Sequence, residues 1–155
     1  MKHTDIKSFE DACKALGLAI PEGLPELLQP QMADIVPSHI KAMLKLEIIT
    51  AALNEDWQWI PDGKTRAYWP WFWFFTTGEL KRMSEAEKEQ ISLIPASDVS
   101  PEFAGLGYAY THYAFSYSDA PLGSRLAYKN DALARYSGTQ FIGLWKEYLF
   151  IKIAR

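Results

Sequence analysis

The stretch RAYWPWFWFF, residues 66–75, decides the fold class of this chain. Side chains alternate across an extended strand, so the two faces of this stretch hold different sets: Trp69, Trp71, Trp73 and Phe75 on one, and Tyr68, Phe72 and Phe74 on the other. Both sets are apolar, and we therefore expect a strand that is covered on both sides or lies at an interface. Pro70 has no backbone N–H to donate, which indicates an edge strand or a bulge.

Period-two patterns on either side of this stretch extend the sheet. Upstream, Trp57 and Trp59 alternate with polar residues before the turn signal at residues 61–63, Pro-Asp-Gly. Downstream, a second aromatic strand opens at Gly105, with one predicted face formed by Tyr108, Tyr110, His112 and Ala114 and the other by Tyr113, Phe115 and Tyr117. A turn at residues 118–123 then leads to a final predicted strand at residues 124–129.

Helical periodicity predicts a second layer, with helices at residues 8–16, 38–54, 84–90 and 131–151. Ser8 and Ser38 are predicted to cap the first two helices, and the apolar stripe of the second is broad enough to lie across the sheet. Gly138 weakens the last helix, which indicates close approach to another element. Prolines spaced along residues 18–37 predict an irregular connector. The chain is thus predicted to be a single α+β domain, residues 1–155, in which an antiparallel, aromatic-rich sheet of three to five strands packs against two or three helices.

Composition narrows the class of protein. A chain of 155 residues with a net charge of −3 has the size of one domain and is not a uniformly basic nucleic-acid binder. Cys13 is the single cysteine, so no intramolecular disulfide forms, which favours a reducing, cytoplasmic location. The longest apolar run, residues 69–75, is far shorter than the roughly 20 residues that a membrane-spanning helix needs. The N-terminus shows no signal-peptide pattern.

A resemblance to a known family adds to these patterns. Three segments near the C-terminus carry it: GSRLAYK at residues 123–129, LARY at residues 133–136 and GTQF at residues 138–141. Together they resemble the C-terminal pattern of a small uncharacterised protein family of gut Bacteroidetes and their phages and mobile elements. Residues 9–18, 52–57 and 68–72 are similar to that family as well. The resemblance implies a shared fold and a phage or mobile-element origin, and it transfers no catalytic residue.

The sequence contains no pattern that names a reaction. His3, His39 and His112 never pair at metal-ligand spacing, and neither CxxC nor HExxH occurs, so no metal ion or other cofactor is predicted. The tripeptide at residues 63–65, Gly-Lys-Thr, lacks the earlier glycine of a P-loop and is interpreted as part of a turn. We therefore expect that the protein is not an enzyme. An enzyme with a pocket centred on His112 stays open as an alternative.

The aromatic sheet is the feature that bears most on function. Trp and Tyr often dominate protein interfaces, so the first hypothesis is a non-enzymatic binding or assembly protein that buries this surface against a protein partner or a second copy of itself. The same rings can stack nucleic-acid bases beside phosphate-binding cations, and a single-stranded nucleic-acid binder is the alternative. The predicted ligand site on this surface consists of Trp71, Tyr110, His112, Arg125 and Lys129.

Overall fold

The computed structural model describes residues 2–19, 37–115 and 124–151. Its helices are α1 (Phe9–Ala15), α2 (Ser38–Asn54), α3 (Thr77–Arg82), α4 (Glu85–Gln90), α5 (Asp131–Gln140) and α6 (Ile142–Leu149), with short 3-10 turns at His3–Asp5 and Ser124–Leu126. Its strands are β1 (Arg66–Phe75), β2 (Ile94–Pro95) and β3 (Gly105–Phe115), which form one antiparallel sheet in the order β1–β3–β2. The predicted α+β class with an aromatic-rich antiparallel sheet is confirmed. The predicted turn at residues 118–123 and most of the connector at residues 18–37 lie outside the described residues.

Local sequence signals set the ends of several helices. The hydroxyl of Ser8 accepts a hydrogen bond from the Asp11 N–H at 3.1 Å, and the carboxylate of Asp11 accepts from the Ser8 N–H at 3.0 Å, as the capping-box spacing predicts. Gly17 follows α1 with a φ of 66°, a conformation that glycine adopts without strain. The prediction that Ser38 caps α2 is wrong, because Ser38 is already helical and Pro37 precedes it without a side-chain hydrogen bond.

The segment before α5 reaches the sheet at a single residue. Tyr68 and Tyr128 exchange two backbone hydrogen bonds, of 3.1 Å and 2.9 Å, at the outer edge of β1. The final strand predicted for this segment is therefore reduced to one bridge. The 3-10 turn at Ser124–Leu126 and the cap of α5 at Asn130 leave room for one extended residue to pair with β1. The side chain of Asn54 donates to the Ala127 carbonyl at 2.7 Å and accepts from the Lys129 N–H at 3.0 Å. The backbone groups on either side of Tyr128 thus bind to α2 instead of to another strand.

A β-bulge in β3 changes which side chains share a face. Trp71 lies opposite Tyr110 whereas Phe72 lies opposite Tyr108, so Ala109 is an extra residue on β3. Tyr108 therefore packs against α5, while Tyr110 lies on the opposite face of the sheet beside Trp71. The prediction that Tyr108 shares a face with Tyr110 is wrong for this reason, since the extra residue reverses the alternation.

The helix α5 lies directly against the sheet and packs on both β1 and β3, while α6 contacts β3. Gly138 permits this close approach, because a Cβ atom at this position would lie 2.6 Å from the Cβ of Pro70. The final helix predicted from the sequence is divided at Phe141, with φ −113° and ψ 26°, into α5 and α6. The second helix, α2, packs mainly against α6 and α1, so the prediction that it lies across the sheet is wrong. The position on the sheet is occupied by α5.

Buried hydroxyl groups connect the helices to the edge of the sheet. The Tyr128 hydroxyl donates to Ser137 Oγ at 2.6 Å, and Thr50 Oγ1 lies 2.8 Å from the same Tyr128 oxygen. Because Tyr128 gives its only hydroxyl proton to Ser137, Thr50 is the donor in the second bond. The indole N–H of Trp145 also donates to Ser137 Oγ, at 3.0 Å. These four side chains are all buried, and their hydrogen bonds fix α2, α5, α6 and the Tyr128 bridge relative to one another.

Burial raises the pKa of Tyr128 from 10.0 to about 12, and this shift predicts a loss of stability in alkali. Below pH 10 the hydroxyl is neutral in both the folded and the unfolded chain, so the stabilisation is fully present. Between pH 10 and pH 12 the unfolded chain ionises first, and we expect the free energy of unfolding to fall by about 2–3 kcal/mol from this group alone. Urea unfolding at pH 9 to 12 measures the fall, and Tyr128→Phe is the control. A slope that is the same in both proteins would contradict the prediction.

Candidate aromatic binding surface

The sheet face opposite α5 carries a cluster that we name the aromatic face and define by four residues: Trp71, Trp73, Tyr110 and His112. The rings of Trp71 and Tyr110 are stacked, with centroids 6.3 Å apart and planes at 28°. The ring of Trp73 meets Tyr110 edge-on at 6.5 Å, and the His112 ring lies 5.7 Å from Trp71. Such offset and edge-on contacts are the favourable geometries of aromatic pairs, so the cluster is arranged before any partner binds.

The aromatic face is exposed to solvent, whereas the part of the sheet next to it, around Trp69, is covered. Trp71, Trp73 and Tyr110 are 37%, 58% and 44% exposed. In contrast, Trp69 on the same face of β1 is completely buried, because Trp57 and Trp59 pack against it and its neighbours. Trp57 and Trp59 therefore do not form the strand that their alternation predicts; they fold over the sheet instead. The uncovered part of the face is the part that contains the stacked pair.

The predicted site residues divide into two groups. Trp71, Tyr110 and His112 come together on the aromatic face. Arg125 and Lys129 contact acidic residues at α2 and directly after it: Arg125 Nη1 lies 3.8 Å from Glu47 Oε2, and Lys129 Nζ lies 2.9 Å from Glu55 Oε2. The hydrogen bond from Lys129 and the charge of its ammonium group lower the pKa of Glu55. The structure therefore brings three of the five predicted residues together.

Trp73 belongs to the aromatic face although it is not among the predicted site residues. Its alternation with Trp71 along β1 is the sequence signal that places it there, since residues two apart share a face. A separate exposed group lies on the other face of the sheet, where the Arg66 guanidinium stacks 4.6 Å from the ring of Tyr113 and 5.1 Å from that of Phe115. Tyr113 is 52% exposed and offers a natural comparison with Trp73.

A cavity of about 820 Å³ lies beside the C-terminal end of α2, and no residue of the aromatic face lines it. Glu55 at its wall has a φ of 56° and a ψ of −122°, a strained combination for a residue other than glycine. Its carboxylate is bound by Lys129, so the two opposite charges compensate each other. Within residues 2–19, 37–115 and 124–151, no group of three His, Cys, Asp or Glu side chains is arranged to hold a metal ion.

Over the same described ranges, every helix is too short or too polar to cross a membrane. Comparisons with protein-family models, with curated proteins and with solved structures gave no match to this chain. The geometry of the aromatic face is therefore the basis on which a function is inferred.

Proposed function

We propose that this chain is a non-enzymatic binding or assembly protein whose aromatic face associates with a protein surface. The first partner that we propose is a second copy of the same chain. The observation that carries the proposal is the joint exposure of Trp71, Trp73 and Tyr110 on one face of the sheet. We also propose a cytoplasmic location, which suits the buried, reduced thiol of Cys13, and a phage or mobile-element origin.

The physical chemistry of these rings supports a protein partner. Burial of an aromatic side chain removes about 150–250 Å² from water, and Trp and Tyr are the residues that most often dominate protein interfaces. Trp71 and Tyr110 already restrain each other by stacking, so their burial costs little additional conformational entropy. The largest apolar patch on a protein surface is often a functional site, which supports a role of the aromatic face in binding.

The positions of the cations favour a protein over a single-stranded nucleic acid. A nucleic acid needs cations beside the stacking rings to bind its phosphates. Arg125 and Lys129, the residues predicted for this role, contact Glu47 and Glu55 instead. The net charge of −3 also disfavours binding of a nucleic acid, because it repels a polyanion.

The position of His112 favours binding over catalysis. Its ring contacts Trp71 on an open face of the sheet. A general base works best in a closed site that excludes water and holds the substrate within hydrogen-bond reach. An open aromatic surface neither excludes water nor encloses a substrate. It is accessible to the surface of another protein.

Replacing Tyr110 with alanine is expected to weaken self-association at least about tenfold, because the truncation removes the ring that contacts both Trp71 and Trp73. Size-exclusion chromatography with multi-angle light scattering, over a range of protein concentrations, measures the change. We expect the native chain to form a dimer or a larger assembly at low and at high salt, since apolar burial is little affected by ionic strength.

Tyr113→Ala is the matched control, since Tyr113 is 52% exposed and packs beside Arg66 on the opposite face. This variant is expected to associate like the native chain. A native chain that stays monomeric at every concentration contradicts the proposal. So does a monomer that elutes with mixed-sequence single-stranded DNA at low salt and releases it at high salt, which would support the nucleic-acid alternative.

A further inference from the structure

The outer edge of β1 has unpaired backbone groups next to the aromatic face. Tyr68 directs its N–H and C=O outward to Tyr128, and backbone groups alternate along a strand, so Phe72 and Phe74 direct theirs outward as well. The N–H of Tyr108, opposite Phe72, points the other way and donates to the Ile91 carbonyl, which agrees with this alternation. Within the described ranges, no hydrogen bond satisfies the outward groups of Phe72 and Phe74.

This edge lacks the features by which proteins usually protect a sheet edge. Charged side chains, prolines and bulges normally prevent another strand from pairing. Residues 67–78 contain no charged residue, and the bulge lies in β3 rather than in β1. Pro70 interrupts the donors at one point only and leaves Phe72 and Phe74 free to pair. The edge is therefore chemically competent to accept a further strand.

An apolar groove lies beside the open edge. It has a volume of about 250 Å³ and is lined by Pro70, Trp71, Phe72, Phe74, Leu149 and Phe150. Ile151, which is 90% exposed, lies two residues beyond the end of α6. A strand added to β1 thus meets apolar side chains from β1 and from the end of α6, as well as backbone donors and acceptors.

The aromatic face is too small to form a stable dimer alone, so the interface needs the neighbouring edge of β1 as well. A standard interface buries about 800 Å² on each partner. The aromatic face alone provides roughly 300 Å², because Trp71, Trp73 and Tyr110 are only 37%, 58% and 44% exposed. The uncharged edge and its groove adjoin Trp71 and Trp73, so they extend the same surface without a break.

We propose that a second copy of this chain adds its own β1 to this edge, in an antiparallel two-fold arrangement that joins two three-stranded sheets into one. The proposal rests on the proposed function and states how the two copies meet. Phe72 pairs with Phe74 of the partner subunit, so each copy supplies the donors and acceptors that the other needs. Trp73 then lies opposite Trp73 of the partner subunit on the two-fold axis.

The choice of a second copy follows from charge and symmetry. A two-fold axis brings each residue close to its own equivalent, so a charged edge would repel itself. Residues 67–78 contain no charged residue, so two copies of this edge can pair without electrostatic repulsion. A two-fold axis perpendicular to the sheet preserves its faces, so both aromatic faces lie on the same side of the joined sheet and meet edge to edge. The rings of Trp71 and Trp73 on β1 then contact the partner subunit, and Tyr110 on β3 holds these two rings in place.

Amide hydrogen exchange on the native chain tests the pairing. At concentrations where light scattering shows a dimer, we expect exchange at Phe72 and Phe74 to be slowed at least about tenfold relative to the dilute monomer. Tyr68 is the internal control, because its N–H is already bonded to Tyr128 within one copy. A dimer in which Phe72 and Phe74 still exchange rapidly overturns the edge pairing and leaves the proposed function intact. A chain that never dimerises overturns both.

Disulfide trapping provides an independent measurement. Trp73→Cys places two thiols at a non-hydrogen-bonded pair, where Cβ atoms lie about 4.5–5.5 Å apart and a small adjustment allows a disulfide. We expect mild oxidation to give a covalent dimer in a Cys13→Ala background. Tyr113→Cys, at a position that is 52% exposed on the opposite face, is the control and is expected to form no covalent dimer under the same oxidation. Equal cross-linking of both variants, or none with Trp73→Cys in a chain that dimerises, would overturn the pairing.

Discussion

Replacing Ser137 with alanine is expected to lower the free energy of unfolding by about 2–4 kcal/mol, a large effect for the loss of one oxygen atom. Ser137 Oγ accepts hydrogen bonds from Tyr128 at 2.6 Å and from the Trp145 indole at 3.0 Å. Both donors are completely buried, so water does not replace the lost acceptor. Tyr128 can turn its proton toward Thr50, which lies 2.8 Å away, whereas the Trp145 N–H is left without a partner.

Urea unfolding followed by tryptophan fluorescence measures this loss, and Thr139→Ala is the matched control. Thr139 lies on the same helix, and its hydroxyl donates to the Arg135 carbonyl of the helix itself. Its removal is expected to change stability by about 0.5 kcal/mol or less. If Ser137→Ala and Thr139→Ala unfold at the same urea concentration, the buried hydroxyl network does not stabilise the fold.

Replacing Gly138 with alanine is expected to lower the free energy of unfolding by about 1–3 kcal/mol, although alanine is the better helix former. The new Cβ would lie 2.6 Å from the Cβ of Pro70 and 2.8 Å from the ring of Tyr108. Neither neighbour can give way easily, because Pro70 is part of β1 and Tyr108 is held by a hydrogen bond of 2.7 Å between its hydroxyl group and that of Thr111. The helix and the strands must therefore move apart.

Gly143 in α6 separates the steric effect from helix propensity. A Cβ atom at Gly143 meets no atom within 4 Å, so Gly143→Ala is expected to raise the free energy of unfolding by about 0.5–1 kcal/mol. The two variants make the same chemical change in neighbouring helices and are expected to shift the urea midpoint in opposite directions. A stabilising Gly138→Ala would show that α5 does not pack against Pro70 as described.

Local patterns predict the parts of this fold that depend on neighbours in the sequence. The cap at Ser8 and the length of α2 follow from residues three or four positions apart, and both are confirmed. The aromatic strands β1 and β3 follow from period-two alternation and are confirmed as strands. These elements can be predicted from the local sequence, without information about their tertiary contacts.

Contacts between distant residues explain what the sequence does not predict. The bulge at Ala109 coincides with the N–H of Tyr108 binding to Ile91, an interaction with a separate loop that no local pattern contains. Lys129 pairs with Glu55, which lies 74 positions away, so its predicted place beside the aromatic rings is not realised. The division of the final helix at Phe141 likewise reflects the packing of α6 on α2.

The extra residue in β3 also bears on how this protein can diverge in evolution. Because of Ala109, Tyr108 is constrained by the close fit of α5, whereas Tyr110, two positions later, lies on the aromatic face. Substitutions at Tyr110 can thus alter what the surface binds while the interior stays unchanged. Regular pairing of Ala109, without the bulge, would remove this independence, since it would place Tyr108 and Tyr110 on the same face of β3.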